Sequence, residues 1–394
     1  MSEFFSDIDR VRKDTRALPK LVHFNNAGSS LMPAVVADAL HSYLHDEEMF
    51  GGYETTALRA DELDNFYRSF YTLLNCQPNE IAYIENATRA WDMIFYSIPL
   101  KPGDQILTCV AEYGSNVIAY LQRARQNGAE LIVVPNDEFG QLDTSALERL
   151  INSKTRLISV SHIPTGGGLV NPVAEIGRIA KAAGVPYLLD ACQSMGQIPV
   201  DVEEIGCDFA SGTGRKYLRG PRGTGVLYVS KSMADKIEPA MLDQHAAELV
   251  SPTQYQIIDG AKRFENWEQF FAGKAALGVA VDYALSWGIK NIQQRNTLLA
   301  ENLREQLSGI PGVTVTDEGS TRCAIVTFCC QRRNATELQS LFAAESINVS
   351  VSSGSGTLIS FQQRGLDEVV RASLHYYNTQ AEIDLFIEKL KQFL

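Results

Sequence analysis

No run of about 18 apolar residues occurs in the 394-residue chain, so no membrane-spanning helix is expected. The segment MSEFFSDIDRVRK has no basic region followed by an apolar stretch, so no signal peptide is expected and the chain reads as cytoplasmic. Basic residues are the minority, 35 against 47 acidic. The resulting charge of −12 argues against nucleic acid or an anionic membrane as main partner. The seven cysteines form no Cys-x-x-Cys pair and stand in no His/Cys cluster of zinc spacing, so no metal site is expected. Most of them, such as Cys109 in QILTCV and Cys329 and Cys330 after IVTF, fall in apolar runs and read as reduced core residues. Internal repeats and low-complexity linkers are absent as well.

What is present is ordinary for a soluble globular protein: 45% apolar and 21% charged residues, on a length that suggests about two to three domains. Residues 1–20 read as a short amphipathic helix with Phe4, Phe5, Ile8 and Val11 on one side. A helix from Pro33 to about Met49 is expected to gather Val35, Val36, Ala39, Leu40, Tyr43 and Leu44 near one face. GGY at 51–53 breaks it, and a second helix follows in LRADELDNFYRSFYTLLN. From residue 80 strands and helices alternate: IAYI, QILTC, LIVV, RLISVS, YLLD and GVLYV are apolar runs, most of them separated by helical stretches. That pattern predicts an α/β fold with a mostly parallel sheet covered on both faces. In the helix after RLISVS, Asn171 is the expected cap, Pro172 the first residue and Gly184 the left-handed stop. Beyond about residue 290 the pattern changes to a long helix, with Leu298, Leu299, Leu303 and Leu307 on its apolar side, and then strands VTVTD and CAIVTFCC. NATELQ and TQAE open further helices with capping boxes, and the last helix carries a stripe of Ile383, Phe386, Ile387 and Leu390. The expected division is a large domain over 21–289 and a smaller α+β domain made of 1–20 and 290–394.

Candidate chemistry clusters at the strand ends, where ligands sit in such sheets. Asp190 closes YLLD. Lys216 follows in a glycine-rich loop that also holds Arg215, Arg219 and Arg222. An acid to pair with a pyridine nitrogen and a lysine to form a Schiff base are what pyridoxal phosphate requires. Asn86-Ala87-Thr88-Arg89 opens a helix whose unpaired N–H groups suit an anion, although by itself it is a plain helix cap. Tyr113 could lie flat on a planar ring or be a core tyrosine. His162 and Thr165 flank a glycine-rich turn, and His162 could equally be a core histidine. Gln193 follows Asp190, and Arg371 in EVVRASLHYYNT could grip a substrate carboxylate with its two-pronged guanidinium. Tyr53, Tyr217, Trp267 and the polar 350–356 loop could line a substrate pocket or simply pack.

In order and spacing, ATRA, LLDACQ, TGRK and RASLHYYNT resemble the class V aminotransferase branch of fold-type I pyridoxal phosphate enzymes, over nearly the whole chain. The resemblance implies a seven-stranded, mostly parallel sheet and pyridoxal 5'-phosphate as cofactor. It implies Lys216 as Schiff-base lysine and proton shuttle, Asp190 at the ring nitrogen, and Gln193 and Thr165 near the ring hydroxyl. Thr88, Thr213 and Arg215, with Arg89 beside them, would hold the phosphate, and Tyr113 would stack on the ring. Arg371 would take the substrate carboxylate near Asn25, Ala27 and Gly28. RFENWE (263–268) matches a segment that in the family reaches the partner's site, which implies a homodimer. Cysteine desulfurases of the family often carry His at the positions of Tyr113 and Arg215 and Asn at that of Thr165. Their catalytic cysteine has no counterpart in SVSSGSGTLISFQQRG (350–365), and no cysteine follows Cys330. A persulfide relay needs such a thiolate, so desulfuration is disfavoured. TGRKYLRGPRGTG with RFENWE looks most like a subgroup of carbon–sulfur lyases, including those acting on cysteine-conjugate sulfoxides in ergothioneine biosynthesis, and isopenicillin N epimerases. A lyase cleaving a C–S bond of a cysteine-derived amino acid is the first expectation. Transamination or epimerisation is the second, and a non-catalytic binding protein on the same scaffold a third that Asp190 and Lys216 argue against.

Overall fold

The computed structural model describes residues 7–18 and 20–394, so Phe4 and Phe5 lie outside the described residues. Strands β1 (Ile81–Ile84), β2 (Gln105–Cys109), β3 (Glu130–Val134), β4 (Thr155–Ser161), β5 (Tyr187–Asp190), β6 (Phe209–Thr213) and β7 (Gly225–Val229) follow the apolar runs. They form one seven-stranded sheet in the order β1-β7-β6-β5-β4-β2-β3. Pairing is parallel from β6 to β3, and β7 is antiparallel to both its neighbours. Side chains of β5 alternate between the faces: Tyr187 and Leu189 join the core on one side, Leu188 the core on the other. Both faces are covered by helices, so the strands read as unbroken apolar runs; each large side chain fully buried this way contributes about 1.5–3 kcal/mol.

A second, antiparallel sheet runs in the order Val313–Val315, Ile325–Cys330, Glu368–Ser373, Ser350–Ser353. Helices Ala335–Ala344 and Gln380–Phe393 pack on it, both opened by capping boxes, Asn334 with Glu337 and Thr379 with Glu382. The stripe Ile383, Phe386, Ile387 and Leu390 is buried. Val22-His23 pairs in parallel with Ile347-Asn348 as a separate two-stranded sheet, and Asn25 bridges to Ser373 of the small sheet. No helix among the described residues is long and apolar enough to cross a membrane.

Several local expectations need correction. In the helix Ala34–Phe50 the inward stripe is Val36, Leu40 and Tyr43, at helical spacing, and Val35 and Leu44 flank it and are exposed. Leu298 is likewise exposed, while Leu299, Leu303 and Leu307 are buried. GGY does not simply break the chain: Gly51, at φ 96°, makes the turn and Gly52 begins a short helix to Leu58. Asn171 does not cap the helix Val173–Ala183. Its side chain instead ties two loops to the sheet, accepting from the Leu142 N–H (3.0 Å) and donating to the Ser161 carbonyl (2.8 Å). Gly184 is the left-handed stop, at φ 65°.

One buried cation fastens the two ends of the chain to the middle. Arg219, three residues after Lys216, takes a left-handed φ of 60°. Its guanidinium donates to the Leu31 carbonyl (2.8 Å), the Tyr376 hydroxyl (2.8 Å) and Thr15 Oγ1 (2.6 Å), and it sits 4.6 Å from the Tyr377 ring centroid. A left-handed non-glycine residue costs roughly 1–2 kcal/mol, which these charge-assisted bonds and ring contacts offset.

Candidate active site

Parallel strands deliver their last residues to one edge. Asp190 ends β5 in register with Ser161 on β4 and Ser211 on β6, and the loop after β6 brings Lys216 to the same edge. A cavity of about 270 Å³ opens there, walled by Asp190, Lys216, Tyr113, Thr165, Gln193 and Thr213. Thr88 and Arg215 face it too, as do Cys192, Arg222 and Gly223, whose part in it the sequence did not reveal.

At the ring end, Asp190 accepts the Cys192 N–H on one oxygen (3.0 Å) and Asn116 Nδ2 on the other (3.2 Å). Lys216 has no hydrogen bond or ion pair among the described residues. Burial lowers its ammonium to about 8, against the raising influence of Cys192, with Arg215 adding in the lowering direction. A neutral amine is therefore accessible close to neutral pH, which a nucleophilic or proton-shuttling lysine needs. Gln193 donates to the Ala27 carbonyl (3.2 Å) and Thr165 Oγ1 (3.4 Å), while its Oε1 is buried without a partner.

Arg371 comes from the smaller sheet, on the strand Glu368–Ser373, and does not itself line the cavity but reaches its wall through Thr165. It donates through Nε to Ser350 Oγ (3.0 Å) and through Nη1 to the Thr165 carbonyl (3.0 Å) and Oγ1 (2.7 Å). No carboxylate pairs with it among the described residues, and burial draws it below the ordinary guanidinium range. A buried guanidinium with one nitrogen unspent is a site for an anion.

At the opposite end, the helix Ala87–Phe95 points its first turn at the cavity, with Asn86 Oδ1 accepting the Arg89 N–H (3.0 Å). Arg215 donates to Thr213 Oγ1 (3.2 Å) and has no acid partner among the described residues. Arg89, by contrast, is exposed, its Nε 3.5 Å from Glu85 and its Nη2 directed at the Met241 sulfur (3.9 Å), and it does not line the cavity. Arg222 stands at this end instead. Nor do Asn25, Ala27 and Gly28 line the cavity. They run beside the Arg371 strand, Asn25 bridged to Ser373 and the Ala27 N–H bonded to Ser373 Oγ (2.9 Å), and only Ala27 reaches the wall, through Gln193. Tyr53 and Trp267 are exposed, Tyr217 is buried in the core, and none of the three faces the cavity. His162 is a buried histidine, pushed down to about 4 by desolvation, and is likewise not part of the wall.

The donor set fits pyridoxal 5'-phosphate: a helix N-terminus, two hydroxyls and unpaired arginines for the phosphate, a carboxylate and an amine for the ring, and orphaned Gln193 Oε1 between them. The match to the aminotransferase class-V family extends over residues 22–386. The chain belongs to this family. It is 31% identical over 395 residues to a probable cysteine desulfurase of Methanothermobacter thermautotrophicus, covering 98% of each chain. A probable cysteine desulfurase of Synechocystis sp. is 31% identical over 384 residues, covering 94% of this chain and 90% of that one. Among solved structures, the fold is similar to the apo cysteine desulfurase of Thermococcus onnurineus, with a TM-score of 0.90 at 25% identity, covering 98% and 97% of the two chains. It is also similar in fold to the cystine C–S lyase C-DES, with a TM-score of 0.86 at 21% identity, covering 95% and 98%. As a class-V enzyme with this site, the protein is dependent on pyridoxal 5'-phosphate.

Proposed function

We propose that the protein is a lyase that cleaves the C–S bond of a cysteine-derived amino acid by α,β-elimination. The observation that carries this reading is the state of the thiols around the cavity. The segment Ser350–Gly356, beside Arg371, has no cysteine. It is held down by the Gly114 N–H, which donates to the Gly356 carbonyl (2.8 Å). A Cβ on Gly114 would lie 2.3 Å from the Ser355 carbonyl oxygen, so loop and helix are in close contact. Cys192 does face the cavity, but burial and then the neighbouring Asp190 push its thiol well above the ordinary range. A persulfide relay lacks its thiolate, whereas elimination asks for no second nucleophile.

The residues divide the work as follows. Arg371 binds the substrate carboxylate, and Tyr113 packs on the ring. Thr88, Thr213 and Arg215, with the helix N-terminus at Ala87, hold the phosphate; Arg222 joins them in place of Arg89. Asp190 would keep a proton on the ring nitrogen, and the cofactor, when bound, would supply a sink for the electrons left at Cα. Lys216 takes the α-proton. The Cβ–S bond would break with its electron pair leaving on sulfur, and the released 2-aminoacrylate, after tautomerising to the imine, would be hydrolysed by water to pyruvate and ammonia. Transamination or epimerisation, in which Lys216 returns the proton instead, is the alternative. Two further readings accompany this one. The chain divides into 21–289 and 290–394 with 1–20, and it works as a homodimer in the cytoplasm. In RFENWE, Arg263, Phe264 and Glu265 are buried while Trp267 and Glu268 stand exposed, near enough to solvent to reach a second subunit. The unpaired cysteines suit a reducing compartment.

Incubation with cysteine, cystine and their S-oxides, assayed for pyruvate, tests the reaction. Pyruvate release without an added amino acceptor is expected. No pyruvate, with a keto acid appearing only when an acceptor is supplied, would eliminate the lyase reading.

A further inference from the structure

We propose that Asn116, anchored by Glu112, is a positioning residue that holds Asp190 fixed toward the cavity. Asn116 lies in the first turn of the helix Gly114–Asn127 and is 5% exposed. Its Nδ2 donates to Asp190 Oδ2 (3.2 Å) and to Glu112 Oε1 (3.0 Å), so both amide hydrogens are spent between two carboxylates. The reverse orientation of the amide is excluded, because Oδ1 would then confront two acceptors with no hydrogen between them. Glu112, 1% exposed, is surrounded by donors: Ser161 Oγ (2.6 Å), the Ser161 N–H (3.1 Å), Thr108 Oγ1 (3.0 Å) and the Tyr113 N–H (2.8 Å). Every partner donates, which fits the acceptor-only, ionised carboxylate despite the upward pull of burial.

The consequence falls on Asp190. With one hydrogen bond on each oxygen, it retains acceptor capacity for a donor in the cavity, since a carboxylate takes about four. Without the Asn116 amide, the Glu112 charge would face Asp190 with nothing between. The two carboxylates repel, and that repulsion already adds to burial in raising Glu112. An Asp190 freed of the Asn116 amide would turn from its aim on the cavity and lose its hold on a proton at the ring nitrogen.

This inference rests on pyridoxal phosphate being the cofactor, and the test separates the two. Wild type, Asp190→Ala, Asn116→Leu and Asn116→Ala are reconstituted with cofactor carrying an isotopically labelled ring nitrogen and compared by nitrogen NMR. Asn116→Leu preserves volume and removes the donor; Asn116→Ala serves where leucine prevents folding. The wild type is expected to show a protonated ring nitrogen. Both Asn116 variants are expected to shift toward the Asp190→Ala signal, with cofactor affinity weakened roughly tenfold to a hundredfold, the worth of one hydrogen bond to a charged group. A folded Asn116 variant that keeps the wild-type ring signal and affinity would overturn the proposal. Wild-type protein that takes up no cofactor would sink the cofactor assignment instead.

Discussion

At the Asp190 end of the cavity each carboxylate already has partners inside the protein, Asn116 and the Cys192 N–H for Asp190 and six donor groups for Glu112. By contrast, the Lys216 amine and Gln193 Oε1 in the cavity wall, and one guanidinium nitrogen of Arg371 behind Thr165, have none among the described residues. The first arrangement is finished before anything binds and can orient a ligand without reorganising. The second is an unbalanced collection of cations whose desolvation is compensated only when an anion arrives. Rigidity and affinity are thus assigned to different groups around one cavity, the first carried by the large sheet and the second shared with the small one through Arg371, which meets the wall at Thr165.

Breaking the unfinished end at its centre should have the largest effect. Lys216→Ala is expected to abolish turnover and to prevent borohydride from fixing the cofactor to the protein, with circular dichroism unchanged; full activity in that variant would overturn the assignment. Next comes Arg371→Leu, which removes the anion's partner. Loss of one side of a buried charge pair corresponds to a fall in kcat/KM of roughly thirtyfold or more, carried by KM, with cofactor affinity retained. An unchanged KM would place the substrate carboxylate elsewhere.

The pH dependence sharpens the contrast further. Because burial lowers Lys216 to about 8, its reaction with an aldehyde should rise with pH and level off above that value. A midpoint near the usual lysine range would contradict the assigned environment. In the cofactor-free protein the unfolded chain keeps the Lys216 proton to higher pH than the folded one. The penalty for burying the ammonium is therefore present in full below about 8 and is relieved as pH rises toward the unfolded value. Thr379→Ala, distant from either wall, removes a cap whose oxygen accepts the Glu382 N–H. It should cost about 1 kcal/mol and lower Tm by roughly 2 °C or less, with kinetics untouched. A kinetic effect would mean that the small sheet transmits strain to Arg371.

The large sheet was legible because its strands are apolar runs set off by helices, and both capping boxes because their signature is local. The strand Phe209–Thr213 was harder to see, since FASGT is built of small residues and runs straight into the lysine loop. Asp190, Asn86 and Tyr113 could be placed past strand ends from the pattern, whereas Thr213 entered only through the family resemblance. Arg89 could not be dismissed from sequence, because a charge at a helix start looks alike whether it turns to a ligand or, as here, to Glu85. Asn116 and Glu112 carried a faint signal, a Glu and an Asn one helical turn apart just past a strand end. Their meaning depends on Ser161 and Asp190, which only the sheet register brings alongside. Asn171 misled for the reverse reason: its spacing suited a cap, but two loops distant in sequence made better use of its amide.

Arg219 gives the tails of the polypeptide a stake in catalysis. Thr15, Leu31 and Tyr376 all converge on a guanidinium three residues beyond Lys216. Trimming the leader past Thr15, or clipping near Tyr376, would slacken the very turn that presents the reactive amine. Damage remote from the cavity would then register first as lost chemistry and only later as unfolding.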